Sequence, residues 1–303
     1  MPDPKHASLP LFPAAAFDHL LALAFAEDEG DGDITSIATI TESAMGQARL
    51  LCKQVGVIAG LPSVERVLRF RGFAPRITLH CKEGESVEPG RLIMTLEGPL
   101  RALLVCERVL LNFLQRFSGI ATSASAHAQA LEGTATKLLD TRKTLPGYRL
   151  LDKYAVAVGG GTNHRMGLYD RVLVKDNHAI ACGSVRAAVD KVHAKYGKRF
   201  PVEAEVRNLD ELRSLLDASV DTVLLDNMDD ATLREAVNLA REKAPGLKLE
   251  ASGNMSLTRL SQLRNLGLDF ISVGALTHSV QALDISMDIQ GTGLAASPEG
   301  RTL

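Results

Sequence analysis

From residue 136 onward the sequence alternates short apolar runs with helical stretches, and this alternation restricts the fold more than any other feature. The apolar runs are TKLLDT (136–141), RVLVKD (171–176), PVEAEV (201–206), DTVLLDN (221–227), LKLEASG (247–253) and DFISVGA (269–275). Strands that alternate with helices in this way pair in parallel through right-handed crossovers. The pattern predicts an α/β fold with an open, incomplete TIM-like barrel. An open doubly wound sheet is the alternative.

The preceding part of the chain has a different pattern. Residues 14–26 repeat apolar side chains at helical spacing, and 47–96 contain short β-type runs around a helix at 63–69. Residues 99–133 then carry apolar side chains three and four positions apart, which predicts one long, mostly buried helix. We therefore expect a small α+β domain that leads through a long helix into a second domain.

Composition excludes several classes of partner. The formal net charge is only −2, which argues against bulk attraction to nucleic acid or to an anionic membrane. No apolar stretch reaches the roughly 18 to 20 residues that a membrane span needs, and the amino terminus lacks a signal-peptide pattern. The four cysteines form no CxxC pair and resemble reduced thiols. We expect a soluble, cytoplasmic protein that binds neither nucleic acid nor membrane.

The acidic segment EDEGDGDITS (27–36) invites comparison with a calcium-binding loop. Asp31 and Asp33 lack the third carboxylate and the closing glutamate that such a loop uses. We therefore interpret the segment as the end of the first helix.

Polar residues end each predicted strand after residue 136. The basic ones are Arg142, Lys143 and Lys175, and the acidic ones include Glu203, Glu205, Asp226 and Glu250. His164 and Arg165, from the segment before the second strand, add to the basic set. A single Arg-Lys pair usually belongs to a solvated loop, but a parallel barrel brings all strand ends to one face. Guanidinium groups bind carboxylate and phosphate bidentately, and carboxylates hold Mg²⁺. The sequence predicts one cavity that binds a polyanion.

Glycine-rich segments lie beside these charges. VGGGTNHR (158–165) is a flexible hinge or a loop that directs His164 and Arg165 into the site, and its direct connection to those residues favours the loop. The segments SGN (252–254) and VGA (273–275) place small residues before helix starts, where free N–H groups favour phosphate.

These residues resemble the quinolinate phosphoribosyltransferases, also called nicotinate-nucleotide pyrophosphorylases (carboxylating). The segment DTRKTLPGYRLLDKYAVAVGGGTNHRMGLYDRVLVKDNH (140–178) is similar to the family's signature. Further similar segments, in order, are EDEGDGDIT (27–35), ERVLLNFLQRFSGIAT (107–122), EAEV (203–206), LLDN (224–227), LEASGN (249–254) and VGALTHS (273–279). The resemblance runs from about residue 15 to about 290. One departure is Asn254, where many members carry glycine.

The resemblance implies a subunit with two domains. An α/β-sandwich would comprise 1–120 plus 280–303, with its last strand near 283–289, and an open α/β-barrel would comprise 121–279. It also implies a homodimer or larger homo-oligomer in which the small domain of one subunit covers the barrel of its partner. Arg108 would be donated across that interface.

The resemblance also implies roles for individual residues in converting quinolinate and phosphoribosyl pyrophosphate to nicotinate mononucleotide, CO₂ and pyrophosphate for NAD biosynthesis. Arg142, His164, Arg165 and Lys175 would bind quinolinate, with Lys143 bridging to the second substrate. Glu205 and Asp226 would serve phosphoribosyl pyrophosphate and hold Mg²⁺. Ser252, Gly253, Gly274 and His278 would hold the 5-phosphate. The expected catalytic set is Lys143, Lys175, Glu205 and Asp226.

Three alternatives remain open. A molybdenum-transport-associated relative shares this fold, but we expect its KDNH block (175–178) to differ. A nicotinate or nicotinamide phosphoribosyltransferase would release no CO₂. A non-catalytic ligand-binding dimer would lack part of the charged set, which is complete here.

Overall fold

The computed structural model describes residues 9–291, which divide into two compact units: 9–122 with 281–291, and Ser123–Val280. These divisions lie within two residues of the predicted domain boundaries. The parts of the predicted first domain at 1–8 and 292–303 lie outside the described residues.

Short connections join most of the helices and strands, and the longer segment 159–171 lies between α5 and β7. In chain order they are α1 (Ala14–Asp28), α2 (Ile34–Thr39), β1 (Met45–Cys52), β2 (Gly56–Val57), α3 (Leu61–Phe70), β3 (Arg76–Leu79), β4 (Ser86–Val87), β5 (Leu92–Pro99), α4 (Leu100–Ala130), β6 (Lys137–Leu139), α5 (Arg149–Val158), β7 (Val172–Val174), α6 (Asp176–Cys182), α7 (Val185–Tyr196), β8 (Val202–Val206), α8 (Leu209–Leu215), β9 (Thr222–Asp226), α9 (Asp230–Lys243), β10 (Lys248–Ser252), α10 (Leu257–Leu263), β11 (Phe270–Ser272), α11 (Ala275–His278) and β12 (Ile285–Gly291).

The first unit is built on an antiparallel sheet with the order β12-β1-β5-β3, and β2 and β4 form a separate pair. Along β1, Ala48, Leu50 and Cys52 are buried at alternate positions, as expected for a strand with one face on the core. The pairing of β12 with β1 brings the end of the described chain into this unit. This arrangement agrees with the last strand that the family resemblance implied.

Aromatic side chains fill part of this first core. Phe17 of α1 is fully buried and meets Phe113 of α4 edge to face, with 4.7 Å between ring centroids.

The acidic segment after α1 ends that helix and starts the next one. The Asp33 carboxylate accepts hydrogen bonds from the backbone N–H groups of Thr35 and Ser36. Asp33 therefore caps α2.

The second unit contains one parallel sheet with the order β6-β11-β10-β9-β8-β7. Each apolar run predicted after residue 136 contains one of these strands, so the predicted α/β fold class is confirmed. Strands β6 and β7 form the two edges and do not pair with each other. The barrel is therefore open, and Thr162 forms an isolated parallel bridge to Leu139 on the free side of β6.

Buried apolar residues explain why these strands were recognisable. Val223, Leu224 and Leu225 of β9 are all at least 95% buried, as in a strand covered on both faces.

Among the described residues, no helix is both long enough and apolar enough to cross a lipid bilayer.

Gly119 of α4 provides a test of packing in the first unit. A Cβ at this position would lie 2.1 Å from the backbone oxygen of Gln281, which cannot swing away as a flexible side chain can. Helix propensity alone would favour alanine by roughly 1 kcal/mol. We predict instead that Gly119→Ala lowers the free energy of unfolding by about 1–3 kcal/mol, measured by urea denaturation.

Gly246→Ala is the matched control, because a Cβ at Gly246 meets no atom within 4 Å. This control should change stability by no more than about 0.5 kcal/mol. A Gly119→Ala protein as stable as the wild type would contradict the predicted clash.

Candidate active site

A cavity of about 950 Å³ lies at the carboxyl ends of the parallel strands. It is lined by eleven of the residues that the sequence placed in the site: Arg142, Lys143, His164, Arg165, Lys175, Glu205, Asp226, Ser252, Gly253, Gly274 and His278. They come from the ends of all six strands and from the loop that precedes β7. A larger cavity of about 1100 Å³ in the first unit, between α3 and β3, contains none of them.

Two buried charges anchor the loop that carries His164. The Lys153 ammonium group of α5 contacts the Asp140 carboxylate at the end of β6, and both side chains are essentially inaccessible to solvent. Asp140 accepts the backbone N–H of His164 at 2.8 Å, and Lys153 donates to its backbone oxygen at 3.0 Å. Burial raises the pKa of Asp140 and lowers that of Lys153, and their contact opposes both shifts.

The ring of His164 rests against two buried carboxylates. Its Nε2 lies 3.1 Å from Glu203 and 3.5 Å from Glu250. Burial opposes protonation, but hydrogen bonds to Glu203 and Glu250 raise the pKa of His164 to about 9. The Arg165 backbone N–H donates to Nδ1 at 2.7 Å, which favours the neutral ring. In either protonation state Nε2 carries a proton and donates to a carboxylate.

The two carboxyl groups differ in acidity. Burial raises the pKa of Glu250, whose side chain is almost completely inaccessible to solvent. Burial also opposes ionisation of Glu203, yet His164 and Arg171 hold its pKa below the usual value, with Arg171 Nη1 at 3.2 Å. Glu203 is therefore the more acidic of the two carboxyl groups, and Glu250 is the more readily protonated.

Two guanidinium groups meet beside this cluster. Arg165 is buried, and both its burial and the nearby Arg142 lower its pKa. The Nε atom of Arg142 is buried and has no hydrogen-bond partner among the described residues. Two like charges and an unused buried donor are unfavourable unless an anion joins them. This corner of the cavity therefore suits a carboxylate or a phosphate.

Lys175, another basic residue that lines the cavity, has a carboxylate partner. Lys175 precedes α6, and its Nζ lies 3.3 Å from Glu205 of β8. Asp226, at the end of β9, accepts a hydrogen bond from the Asn227 side chain at 2.8 Å. The Glu205 and Asp226 oxygens belong to the cavity lining, and oxygen is the ligand type that Mg²⁺ takes. The residues thus fit a magnesium ion.

Gly274 allows the β6 and β11 ends to approach each other. A Cβ at Gly274 would lie 3.1 Å from atoms of both Lys143 and His278. The Thr277 hydroxyl donates to the backbone oxygen of Lys143 at 2.9 Å. These contacts hold Lys143 and His278 on the same side of the cavity.

The β9 and β10 ends form a second close approach. Gly253 has φ +93°, and a Cβ there would lie 2.1 Å from the Asn227 Oδ1 atom, so only glycine fits. Asn227 and Asn254 adopt left-handed φ values of +53° and +51°. Asparagine tolerates this region better than other residues with a side chain. Asn254 thus keeps a backbone conformation that glycine also adopts.

Arg108 is the one predicted site residue that does not line this cavity. It is exposed on α4 in the first unit, whereas the described residues that line the cavity all belong to the second unit.

Sequence reasoning missed the supporting layer. Glu203 and Glu250 were recognised only as polar strand ends, and Lys153 received no role. Lys153 lies in an apolar helical stretch where a lysine usually reaches solvent, so only its place within the signature segment could have singled it out.

The family models cover most of the chain. Residues 120–288 match the quinolinate phosphoribosyl transferase C-terminal domain, and residues 33–118 match the N-terminal domain of the same family.

Curated relatives and solved structures agree with these matches. A probable nicotinate-nucleotide pyrophosphorylase (carboxylating) of Bacillus subtilis is 40% identical over 88% of this chain and 90% of its own length. The chloroplastic nicotinate-nucleotide pyrophosphorylase (carboxylating) of Oryza sativa subsp. japonica is 38% identical over 97% of this chain and 82% of its own. The crystal structure of NadC from Streptococcus pyogenes superposes with a TM-score of 0.88 at 38% identity, covering 94% of this chain and 99% of that one. On these matches, the chain belongs to the quinolinate phosphoribosyl transferase family.

Proposed function

We propose that this protein is a decarboxylating quinolinate phosphoribosyltransferase, a pentosyltransferase of NAD biosynthesis. It converts quinolinate and phosphoribosyl pyrophosphate to nicotinate mononucleotide, CO₂ and pyrophosphate. The observation that carries the proposal is the pair Arg142 and Arg165, in a cavity that Lys143, His164, Lys175 and His278 also line. The buried Nε of Arg142 has no hydrogen-bond partner within the described part of the chain. The names of the relatives at about 40% identity support the same reaction.

Charge explains why this cavity suits these substrates. Quinolinate carries two carboxylates and its co-substrate several phosphate charges, so the two repel each other unless fixed cations lie between them. Arg142, Arg165 and Lys175 bind the dicarboxylate by charge, and His164, which lines the same cavity, completes the quinolinate-binding set. Lys143 lies between this group and the Gly274 side of the cavity, where it bridges the two substrates.

The first chemical step is displacement at the sugar. The pyridine nitrogen forms a bond to C1 of the ribosyl group while the bond from C1 to the pyrophosphate oxygen breaks. Pyrophosphate leaves with the electron pair, and C1 is oxocarbenium-like in between. Because no covalent enzyme intermediate is needed, the residues act by orienting the substrates and by stabilising charge on the leaving group.

The second step follows from the first. The pyridine nitrogen is now positively charged, so the electrons of the bond between C2 and its carboxylate can remain at C2 when CO₂ leaves. A proton then adds to C2. The ring itself is the electron sink, and the basic side chains keep the reacting carboxylate in place.

Magnesium is part of this proposal through Glu205 and Asp226. When bound, Mg²⁺ supplies counter-charge to the pyrophosphate oxygens. Glu205 also orients the Lys175 ammonium group, and Asp226 orients the Asn227 amide. Ser252, Gly253, Gly274 and His278 lie where strands β10 and β11 end, and they hold the 5-phosphate of the sugar.

A homodimer with shared active sites is a further part of the proposal. Arg108 is exposed on α4 of the first unit and is not among the residues that line the cavity of the second unit. The loops that follow Lys143 and Arg165 expose large apolar side chains, with Leu168 and Tyr169 each 75% exposed. Exposed apolar side chains beside a charged site are typical of an interface. A second subunit that covers these loops and donates Arg108 accounts for both features.

The proposed location is the cytoplasm. All four cysteines, Cys52, Cys81, Cys106 and Cys182, are free thiols, and Cys182 is the most accessible. A reducing compartment suits this arrangement.

The reaction itself is testable with purified protein. With quinolinate, phosphoribosyl pyrophosphate and Mg²⁺ we expect the ultraviolet absorbance of quinolinate to change and one CO₂ to be released per nicotinate mononucleotide. Nicotinate in place of quinolinate should release none, because it has no 2-carboxylate to lose. Turnover of nicotinate without turnover of quinolinate would contradict the proposal and indicate a nicotinate phosphoribosyltransferase.

Arg142→Ala tests the quinolinate pocket. It removes the unpartnered buried donor and its charge, so quinolinate affinity should fall by about a hundredfold or more in a calorimetric titration. Arg213→Ala is the control, because Arg213 is half exposed on α8 and pairs with Asp210 on the helix surface. The melting temperature of each variant reports on the fold. Unchanged affinity in a folded Arg142→Ala protein would refute the assignment.

Subunit mixing tests the donation of Arg108. Arg108→Ala and Lys175→Ala should each be inactive alone, and an exchanged mixture should regain up to about a quarter of wild-type activity through hybrid dimers with one intact site. Native mass spectrometry would verify the exchange. An exchanged but inactive mixture would contradict a shared site.

A further inference from the structure

Asp140 and Lys153 form a buried ion pair behind the cavity lining. Both side chains are fully buried, and neither belongs to the residues that line the cavity. Asp140 follows β6, and Lys153 lies in the middle of α5. The pair therefore connects a strand end to the helix that follows it along the chain.

This pair holds one residue of the site from both sides. The backbone N–H of His164 donates to Asp140 Oδ1 at 2.8 Å, and Lys153 Nζ donates to the backbone oxygen of His164 at 3.0 Å. The Asn163 amide, in the orientation that satisfies its neighbours, donates to Asp140 Oδ2 at 2.6 Å and to the Lys153 backbone oxygen at 2.9 Å. The segment 163–164 is thus fixed by charged partners and by hydrogen bonds at successive positions.

The pair of Asp140 and Lys153 also connects the segment that carries Arg142 and Lys143 to the segment that carries His164 and Arg165. Asp140 directly precedes Thr141, Arg142 and Lys143, and its carboxylate holds the segment that continues into Arg165. Arg142 and Arg165 repel each other when no anion lies between them. Their spacing must therefore be imposed by the backbone segments that carry them, and both segments are tied to Asp140.

Stability alone gives little reason for such a pair. Removing two charges from water costs about as much as their attraction returns, and apolar replacements of similar volume are often neutral or stabilising. An apolar pair, or a neutral hydrogen-bonded pair, would fill the same space. What it would not supply is a charged donor to the backbone oxygen of His164.

We propose that Asp140 and Lys153 are positioning residues for the dianionic heterocyclic substrate, which they affect through the backbone of His164 and the placement of Arg165 relative to Arg142. The inference rests on the proposed function, because the substrate is taken to be quinolinate. It predicts that the ion pair controls the quinolinate KM more than the phosphoribosyl pyrophosphate KM.

The test compares a single and a double variant. Lys153→Met leaves Asp140 buried and unpaired, so its melting temperature should fall by roughly 5–10 °C. Adding Asp140→Asn removes that charge and keeps one oxygen for the His164 N–H, while the Asn163 amide can turn its oxygen towards the new N–H₂ group. The melting temperature should therefore recover to within roughly 4 °C of the wild type. The double variant still lacks the donor to the His164 oxygen, so its quinolinate KM should stay raised roughly tenfold or more.

Arg241→Met is the matched control in the same unit. Arg241 also pairs with a carboxylate, Asp269 at 2.7 Å, and donates to backbone oxygens, those of Leu247 and Gly267. These contacts lie at the amino ends of β10 and β11, away from the carboxyl ends that form the cavity. Its melting temperature should fall while both KM values stay within roughly twofold of the wild type.

The outcomes separate the possible roles. If quinolinate KM in the double variant recovers together with stability, or if both KM values rise equally, the pair is structural and the inference is wrong. If the wild-type protein releases no CO₂ from quinolinate in the same assay, the proposed function fails instead. A raised quinolinate KM at restored stability, with the phosphoribosyl pyrophosphate KM nearly unchanged, supports the inference.

Discussion

The cavity depends on one constraint, which is that parallel strands present their successive carboxyl ends at the same edge of a sheet. Residues as distant in sequence as Arg142 and Gly274 thereby line one space of about 950 Å³. Because the sheet is open between β6 and β7, the segment 162–165 can lie along the free side of β6 and enter the site there. The opening of the barrel thus gives His164 and Arg165 their place.

Like charges that line one cavity repel each other, so other residues must hold the segments that carry them. Glu203 and Glu250 lie behind His164, and Asp140 with Lys153 holds its backbone. Thr277 holds the backbone of Lys143, and Gly253 allows the β9 and β10 ends to meet. The backbone segments that carry His164 and Lys143 are therefore held by the protein itself, which limits the reorganisation that catalysis would otherwise require.

Much of this arrangement was predictable from the sequence, for identifiable reasons. Strands buried on both faces appear as continuous apolar runs, as in β9, and a polar residue that stops such a run marks a strand end. The role of Lys153 was not predictable, because a lysine within a helical pattern normally reaches solvent. The left-handed φ values of Asn227 and Asn254 depend on the contact between two loops that only the folded chain brings together. The pairing of β12 with β1 followed from the family resemblance and not from any local pattern.

The distribution of charge shows which cations depend on a ligand. Lys175 already has Glu205 at 3.3 Å, and His164 donates to Glu203, so part of the cationic group is compensated within the chain. Arg142 has a buried donor that no residue between 9 and 291 satisfies, and Arg165 lies beside it with its pKa lowered by burial and by that neighbour. A ligand gains most where the protein supplies least counter-charge. A dianion with adjacent carboxylates would therefore place one carboxylate at Arg142 and Arg165. Its second carboxylate would face Lys175 and His164, which already have carboxylate partners within the chain.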